Sequence, residues 1–268
     1  MSLKESSNLV NIESEEISIG KNFRMHPTAF IRGISGKAKR IVVGDNVYIG
    51  EQVQIIVDEL FLGDYSKIHH HTNIHGYKPC KIGHNAWIGQ YTIIDSIGGV
   101  SIGNNCGIGA HSQLWSHIKY GDQLEGCNFL SEKSLEIGND VWLVGHCIVS
   151  PVVIEDKAMA LVGSVITERM TFNSIYAGVP AKNISGKLGP QFNEVPLEKK
   201  YKQLNEILDN WRHPKDLIRI VMDTKMVDFK DEYSYFDVSV RKYKKMLNKQ
   251  EISFMNYLLP EKAKFTPF

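Results

Sequence analysis

The sequence predicts a mainly β protein built as a stack of triangular coils, and three observations support this. Aliphatic residues recur every six positions over most of the first two thirds of the 268 residues. Groups of three such residues start at positions 43, 62, 82 and 102. Many of them are followed by one of the 22 glycines. A period of six suits neither a helix nor a simple alternating strand, but it does suit a short strand followed by a corner.

Five groups of three aliphatic residues form the repeat, with a weaker group at each end. The five groups are Val43, Ile49 and Ile55; Leu62, Ile68 and Ile74; Ile82, Ile88 and Ile94; Ile102, Ile108 and Leu114; Ile137, Leu143 and Val149. The weaker groups are Ile19, Met25 and Ile31, and Ile154, Ala160, Ile166 and Phe172. Three faces close a coil of about 18 residues, and roughly seven coils would stack at the spacing of paired strands. Gly and Asn suit the corners because they tolerate left-handed backbone.

A break in the repeat predicts a loop that protrudes from the stack. The fifth group starts at Ile137, whereas the fourth starts at Ile102, and one coil accounts for only about half of this interval. We therefore expect an excursion over residues 115–136, which include His117 and Tyr120. Long loops on a regular scaffold are disproportionately functional.

Composition and charge restrict the class of protein. The chain is 43% hydrophobic and 23% charged, with a net charge of +1, which fits a folded soluble protein and gives no support for nucleic-acid binding. The four cysteines form no CxxC pair, and we expect buried thiols in a reducing compartment. The first 16 residues lack the apolar core of a signal peptide, and no apolar run approaches a membrane span. We expect a cytoplasmic protein.

Residues 97–186 contain five ordered motifs beyond the general repeat. They are Ile97–Gly103, Ile108–His117, Ile137–Gly145, Val162–Thr167 and Tyr176–Lys182. This region resembles the hexapeptide-repeat acyltransferases, in particular the maltose/galactoside and polysaccharide O-acetyltransferase branch. The resemblance implies a left-handed parallel β-helix that uses acetyl-CoA as acyl donor. It also implies a homotrimer with active sites between adjacent subunits.

The same resemblance implies roles for individual residues. His117 matches the general base, which takes a proton from the acceptor hydroxyl as its oxygen attacks the thioester. Gln90, Asp95, His111 and Trp142 match positions that contact the acceptor. The residues that match positions along the acyl-CoA are Trp142, Gly145, Val162, Gly163, Ser164, Thr167 and Lys182.

Two departures from the family pattern affect the end that would hold the nucleotide. Glu168 stands where the family usually has a lysine. The turn at residues 151–155 is one residue shorter than the family pattern and lacks its glycines. His146, which follows the Trp142 motif, is a further candidate for lining the groove.

Three segments are expected along the chain: an N-terminal segment over 1–14, the β-helix over 15–186, and a C-terminal α/β extension over 187–268. The extension carries 16 Lys and Arg against 12 Asp and Glu. Apolar residues at helical spacing from Leu197 to Trp211 predict an amphipathic helix. Short strands are expected over 217–222 and 235–240, and helical pieces over 241–247 and 251–259.

The leading interpretation is O-acetylation of a sugar hydroxyl, in a surface polysaccharide such as capsule or lipopolysaccharide or in its precursor, with no metal. N-acylation of an amino sugar is the runner-up. A metalloenzyme resembling the γ-carbonic anhydrases also remains open, because His69-His70-His71 with His75 gives an HxxxxH spacing. A non-catalytic β-helix scaffold is the other alternative.

Overall fold

A computed structural model describes residues 11–268, which form two compact units. The first unit ends at Phe192, and the second spans Asn193–Phe268. Most of the expected N-terminal segment, residues 1–10, lies outside the described residues. The boundary falls six positions after the expected one, because the short helix α1 (Ser185–Leu188) contacts the last strands of the first unit.

Three sheets of mostly parallel strands form the walls of a triangular prism. Wall 1 contains β1 (Ser14–Ile19), β4 (Ala38–Val43), β7 (Glu59–Leu62), β10 (Cys80–Ile82), β13 (Val100–Ile102), β18 (Leu135–Ile137) and β21 (Val153–Ile154). Wall 2 contains β2 (Arg24–Met25), β5 (Tyr48–Ile49), β8 (Lys67–Ile68), β11 (Trp87–Ile88), β14 (Gly107–Ile108), β19 (Trp142–Leu143), β22 (Met159–Ala160), β24 (Ile175–Ala177) and β25 (Lys182–Asn183). Wall 3 contains β3 (Phe30–Arg32), β6 (Gln54–Val57), β9 (Asn73–Gly76), β12 (Ile93–Asp95), β15 (Gln113–Leu114), β20 (Ile148–Val149) and β23 (Val165–Ile166). The chain passes from wall 1 to wall 2 to wall 3 in each coil, which confirms a mainly β, three-sided helix of about seven coils.

The predicted aliphatic groups form the interior of this prism. All fifteen residues of the five groups are at most 4% exposed, and each group places one residue on each wall. Ile82 pairs with Ile102, and Ile102 pairs with Ile137. The last coil departs from the six-residue spacing: Phe172 is 56% exposed, whereas Met170 is buried and bridges to Ile154.

The corners combine left-handed residues with glycines that allow neighbouring coils to approach closely. At the corner between walls 2 and 3, five successive coils place a residue other than glycine in the left-handed region, and the next coil places Gly163 there. These five are Gln52, His71, Tyr91, His111 and His146. A Cβ at Gly109 would lie 2.0 Å from the carbonyl oxygen of Val144. Close approach therefore requires glycine at this point of the corner.

The predicted excursion forms an antiparallel hairpin base at the corner between walls 3 and 1. Its strands are β16 (His117–Ile118) and β17 (Ser131–Glu132), and His117 pairs with Glu132. A Cβ at Gly98 would come within 2.2 Å of the Ser116 carbonyl oxygen, so glycine is needed where the base of the loop crosses the previous coil.

The second unit has a four-stranded sheet and its own aromatic core. Its strands are β26 (Ile218–Val221), β27 (Ser234–Asp237), β28 (Lys242–Tyr243) and β29 (Thr266–Pro267), and its helices are α2 (Leu197–Asn210), a 3₁₀ turn at Thr224–Met226, and α3 (Lys249–Leu258). Phe236 packs against Tyr243 and Phe254. The helix expected over 241–247 does not form, because Tyr243 pairs with Phe236 as a strand residue and Arg241 and Leu247 adopt positive φ.

Candidate active site

An imidazole and a buried carboxylate meet at the corner between walls 3 and 1. His117 Nδ1 lies 2.6 Å from Asp95 Oδ2, and the two residues belong to successive coils. The Asp95 side chain has no solvent exposure, whereas that of His117 is 19% exposed. A carboxylate only accepts hydrogen bonds, so Nδ1 carries the proton of the neutral ring and Nε2 keeps its lone pair.

The base of the loop holds Asp95 from several directions. The Ser116 amide and hydroxyl donate to Asp95 Oδ2 at 2.9 and 3.2 Å, and the Ile97 amide donates to Oδ1 at 3.2 Å. The Ser116 hydroxyl also accepts from the Gly98 amide at 2.8 Å. These hydrogen bonds satisfy the buried carboxylate and fix its position at the base of the loop.

An ion-pair cluster lies at the base of the hairpin, around the strand partner of His117. Glu132 pairs with Lys78 at 3.2 Å and with Lys119 at 3.5 Å. The hydrogen bond from Lys78 is the largest of the effects that hold the pKa of Glu132 below its usual value. These groups are exposed, so water screens their interaction, and we assign them to holding the loop base rather than to the chemistry.

The structure places other side chains near His117 that were not among the expected site residues. The Trp115 ring lies 6.4 Å from the His117 ring, and Trp115 Nε1 donates to Gln113 Oε1 at 3.3 Å. His75 Nε2 lies 3.9 Å from Asp95 Oδ1. His75 and Asp95 are paired residues on neighbouring strands of wall 3, and this coil-to-coil register is the signal by which the six-residue repeat could have revealed the contact.

Asp95 occupies a different environment from the one expected. The sequence resemblance suggested that it contacts the acceptor, but the residue is fully buried and both carboxylate oxygens accept protein hydrogen bonds. An acceptor has no access to it in this structure. Its position behind His117 instead suits a group that orients the imidazole.

A second group of expected site residues lies together at the corner between walls 2 and 3. The His111 amide donates to the Gln90 carbonyl, and the Gly163 amide donates to the Gly145 carbonyl, both at 2.9 Å. Val162 is 65% exposed at the same corner. These residues therefore line one edge of the prism, with Gln90 and His111 on earlier coils and Gly145, Val162 and Gly163 on later ones.

Stacked rings run along this same edge. His71, Tyr91, His111 and His146 stack in that order with ring-centroid distances of 4.8, 5.0 and 4.8 Å. His111 and His146 thus contact each other face to face. His111 lies between two rings, whereas the ring contact of His146 in the described chain is on the His111 side, and both side chains are exposed.

Trp142 is the first residue of a two-residue strand on wall 2, and its side chain lies on the outer face. It is 47% exposed, and its Cδ1 would lie only 3.2 Å from a Cβ at position 107. Glycine at 107 thus leaves room for the indole to lie flat on the sheet, where it presents apolar area.

The remaining three expected donor-site residues differ in accessibility. Ser164 is fully buried, and its hydroxyl donates to the Leu161 carbonyl at 2.7 Å, so it closes the turn and does not face a ligand groove. Thr167 is exposed at the corner between walls 3 and 1. Lys182 is exposed and lies 3.7 Å from Glu168, the residue that departs from the family pattern.

The single chain therefore divides the expected residues among several surfaces. Asp95, His117 and Thr167 lie at one edge of wall 3, whereas Gln90, His111, Gly145, Val162 and Gly163 lie at its other edge. Trp142 and Lys182 belong to wall 2. An open groove of about 790 Å³ on wall 1 includes Lys78, Ser101 and Phe172 in its lining, but neither His117 nor Asp95.

Among residues 11–268, no three or more His, Cys, Asp or Glu side chains are grouped as metal ligands would be. No helix in the same range has the length and apolar character of a membrane span.

No protein-family model matches the chain. Several solved structures are similar to it. A maltose O-acetyltransferase from Clostridium difficile 630 is 20% identical, with a TM-score of 0.36, over 66% of this chain and 70% of that one. An AntD variant, an N-acyltransferase from Bacillus cereus in complex with dTDP-4-amino-4,6-dideoxyglucose and coenzyme A, is 19% identical, with a TM-score of 0.45, over 78% and 97%.

PerB from Caulobacter crescentus, in complex with CoA and GDP-perosamine, is 18% identical with a TM-score of 0.34, over 60% of this chain and 56% of that one. These values are too low to say which residues act in this chain. Assignment of its site therefore depends on its own geometry.

Proposed function

We propose that the protein is an acetyl-CoA-dependent O-acetyltransferase that acts on a sugar hydroxyl, with His117 as general base. The observation that carries the proposal is the 2.6 Å contact of His117 Nδ1 with the buried Asp95, which leaves Nε2 as the free basic atom of a partly exposed ring. The repeat and its motifs support the choice of acyl donor.

His117 alone accounts for both proton transfers of the proposed reaction. Nε2 of His117 takes the hydroxyl proton as the acceptor oxygen forms a bond to the acetyl carbonyl carbon. Collapse of the tetrahedral intermediate breaks the C–S bond, and the imidazolium returns the proton to the departing thiolate. Asp95 holds the ring in the required tautomer and stabilises the imidazolium.

Acetyl-CoA supplies the activated acetyl group when it is bound. The residues proposed to hold it are Trp142, Gly145, Val162, Gly163, Thr167 and Lys182. Trp142 and Val162 offer exposed apolar area to the pantetheine arm, and Lys182 offers a cation to a phosphate. The polar surface beside His117, including Gln113 and Trp115, is then available to the acceptor.

A homotrimer would bring the two edges of wall 3 together. In one chain, His117 and the proposed donor-binding corner lie at opposite edges of that wall. Cyclic symmetry can place the edge of one subunit against the opposite edge of the next, so that each complete site uses two subunits. Light scattering coupled to size-exclusion chromatography measures the mass, and a monomer that is fully active would contradict this arrangement.

The proposed role of His117 as general base is tested with His117→Ala, and His26→Ala is the control. His26 is a corner histidine that contacts Thr28 and not Asp95. Acetyl transfer from acetyl-CoA to a panel of oligosaccharides, nucleotide sugars and amino sugars is followed by mass spectrometry of the product. We expect His117→Ala to lose about 10²- to 10⁴-fold in kcat, and His26→Ala to stay within twofold of the wild type.

The same panel separates the parts of the proposal. Near-normal transfer by His117→Ala would reject the general base. A higher kcat/KM for amines than for every hydroxyl acceptor would reject O-acetylation while leaving His117 in place. We also propose a cytoplasmic location, in keeping with Cys80, Cys106 and Cys147, which are buried and form no disulfide.

A further inference from the structure

A second histidine faces the buried carboxylate from the preceding coil. His75 Nε2 lies 3.9 Å from Asp95 Oδ1, whereas His117 contacts the other carboxylate oxygen, Oδ2. Asp95 Oδ2 accepts from His117 Nδ1 and from the Ser116 amide and hydroxyl. Oδ1 accepts only the Ile97 amide, at 3.2 Å, among the hydrogen bonds of the described residues. One carboxylate thus lies between two imidazoles.

The partners of His75 determine which of its nitrogens carries the proton. His75 Nδ1 lies 2.9 Å from Asn73 Oδ1, and Asn73 Nδ2 donates to Gln54 Oε1 at 3.4 Å. An amide oxygen only accepts, so Nδ1 of His75 is the protonated nitrogen. In the neutral ring the Nε2 lone pair therefore faces Asp95 Oδ1, and two acceptors face each other. A proton on Nε2 converts this contact into an ion pair.

Within residues 11–268, Asp95 is the only acidic side chain that pairs with His75. Its strand neighbour in the preceding coil is the uncharged Ile56, and its neighbour in the following coil is Asp95. Farther along the chain, Lys78 is paired with Glu132. The His75 side chain is 38% exposed, so protons from solvent reach it.

We propose that His75 is a positioning residue that shares the charge of Asp95 with His117 and so keeps His117 unprotonated, and active as a base, under mildly acidic conditions. When His75 is protonated, part of the Asp95 charge is compensated. The imidazolium form of His117 then gains less from Asp95, and the neutral base persists to lower pH. The kinetic part of this inference rests on the proposed function, but the coupling of the two rings does not.

The kinetic test uses His75→Gln and His75→Lys across a pH series, with His70→Gln as the matched control. His70 belongs to the same coil, is exposed and makes no contact with Asp95. We expect His75→Gln to keep kcat within twofold at pH 8 and to lose about three- to tenfold at pH 6 relative to the wild type. His75→Lys keeps a permanent cation and is expected to retain most of the activity at pH 6.

Two kinetic outcomes overturn the inference. A loss in His75→Gln that is equal at all pH values indicates a merely structural role. An equal loss at pH 6 in His75→Lys and His75→Gln shows that the charge at this position has no effect on His117.

The second test needs no acceptor and no activity. The imidazole nitrogen signals of the full-length protein are followed by NMR as pH is lowered. In the wild type, the curves of His75 and His117 are each expected to show two inflections, because neighbouring sites titrate as a pair. In His75→Gln, His117 is expected to take up its proton at a higher pH, with no change in His70→Gln.

Independent single-step curves for the two rings of the wild type would overturn the inference even if a variant failed to fold. A failure of the proposed function gives a different result from a failure of this inference. In that case no donor–acceptor pair gives His117-dependent transfer, while the NMR curves still decide whether the rings are coupled.

Discussion

Asp95 in the prism and Glu251 in the second unit are both fully buried, and their carboxylates accept hydrogen bonds from the same kinds of donor. Asp95 in the prism accepts from the Ser116 hydroxyl and from the backbone amides of Ser116 and Ile97. Glu251 in the second unit accepts from the Ser234 hydroxyl and from the backbone amides of Met246 and Leu247. The difference is that Asp95 also contacts a partly exposed imidazole.

The surroundings of Glu251 identify it as a structural group. It lies in the first turn of α3, where Asn248 caps the helix by accepting from the Glu251 amide. Burial, the largest effect, raises the pKa of Glu251, against the opposing hydrogen bonds from Ser234, Met246 and Leu247. A buried carboxylate with several hydrogen-bond donors is therefore insufficient to indicate catalysis. The partner that can exchange a proton with solvent makes the distinction.

The largest expected difference between the two sites comes from Asp95→Asn. An Asn amide carries no charge to stabilise the imidazolium. Its NH2 group can also donate to an unprotonated Nδ1, which leaves the ring proton on Nε2 and removes the basic atom. We expect kcat for acetyl transfer to fall about 10²- to 10⁴-fold, with little change in the folded state. Steady-state kinetics and circular dichroism measure the two effects, and Asp156→Asn, an acidic residue at a different corner, serves as the control.

If Asp95→Asn kept its activity within twofold of the wild type, Asp95 would have no part in catalysis. His117 could still act as a base, but without an orienting carboxylate. Asp95 would then be a structural group like Glu251.

In the second unit, loss of the buried carboxylate is expected to lower the stability of the fold. Glu251→Ala leaves the Ser234 hydroxyl and the Met246 and Leu247 amides without their acceptor, at about 1–3 kcal/mol for each donor that stays buried and unsatisfied. We therefore expect the free energy of unfolding to fall by about 3 kcal/mol or more. In the full-length Glu251→Ala protein, amide hydrogen exchange over residues 234–258 should be faster than in the wild type. Exchange over the prism should change less.

The control for this prediction is Glu261→Ala, because Glu261 is an exposed glutamate of the same unit. It is expected to change stability by less than about 0.5 kcal/mol. Unchanged protection over residues 234–258 in Glu251→Ala would contradict the structural role.

A smaller effect concerns the pH dependence of stability. Because the pKa of folded Glu251 is raised above its ordinary 4.5, the folded state binds this proton more tightly than the unfolded state. The contribution is present below pH 4.5 and is lost as pH rises through the folded pKa. The unfolding free energy of wild type minus that of Glu251→Gln should therefore decrease from pH 4 toward neutral pH. Denaturant titrations measure this, and a difference that rises with pH would contradict it.

Much of the prism follows from the sequence because a single physical rule repeats in every coil. One aliphatic side chain per wall must be buried, and Ile82, Ile88 and Ile94 show this on three different sheets. The rule fails at Phe172, where the final coil shortens and Met170 takes the interior position. It also says nothing about residues 193–268, where Tyr243 joins a strand through long-range pairing with Phe236.

The site was only partly predictable for a related reason. The motif and the loop indicated His117. The role proposed for Asp95, orienting the imidazole, depends on the side-chain positions that enclose the carboxylate. Ser164 similarly matched a ligand-facing position, yet its hydroxyl turns inward to the Leu161 carbonyl. His75 is 42 positions from His117 in the chain, and only the stacking of coils brings both rings to one carboxylate.

The hairpin at His117 enters and leaves the prism without altering its order. Ile102 pairs with Ile137 across the loop in the same way that Ile82 pairs with Ile102 across an uninterrupted coil. The segment between Ile118 and Ser131 is thus separable from the scaffold, as are the antigen-binding loops of an immunoglobulin. Evolution could exchange this segment for one of another length or chemistry while the imidazole and its carboxylate stay in place. Under the proposed function, new acceptors would then be acquired with the same general base.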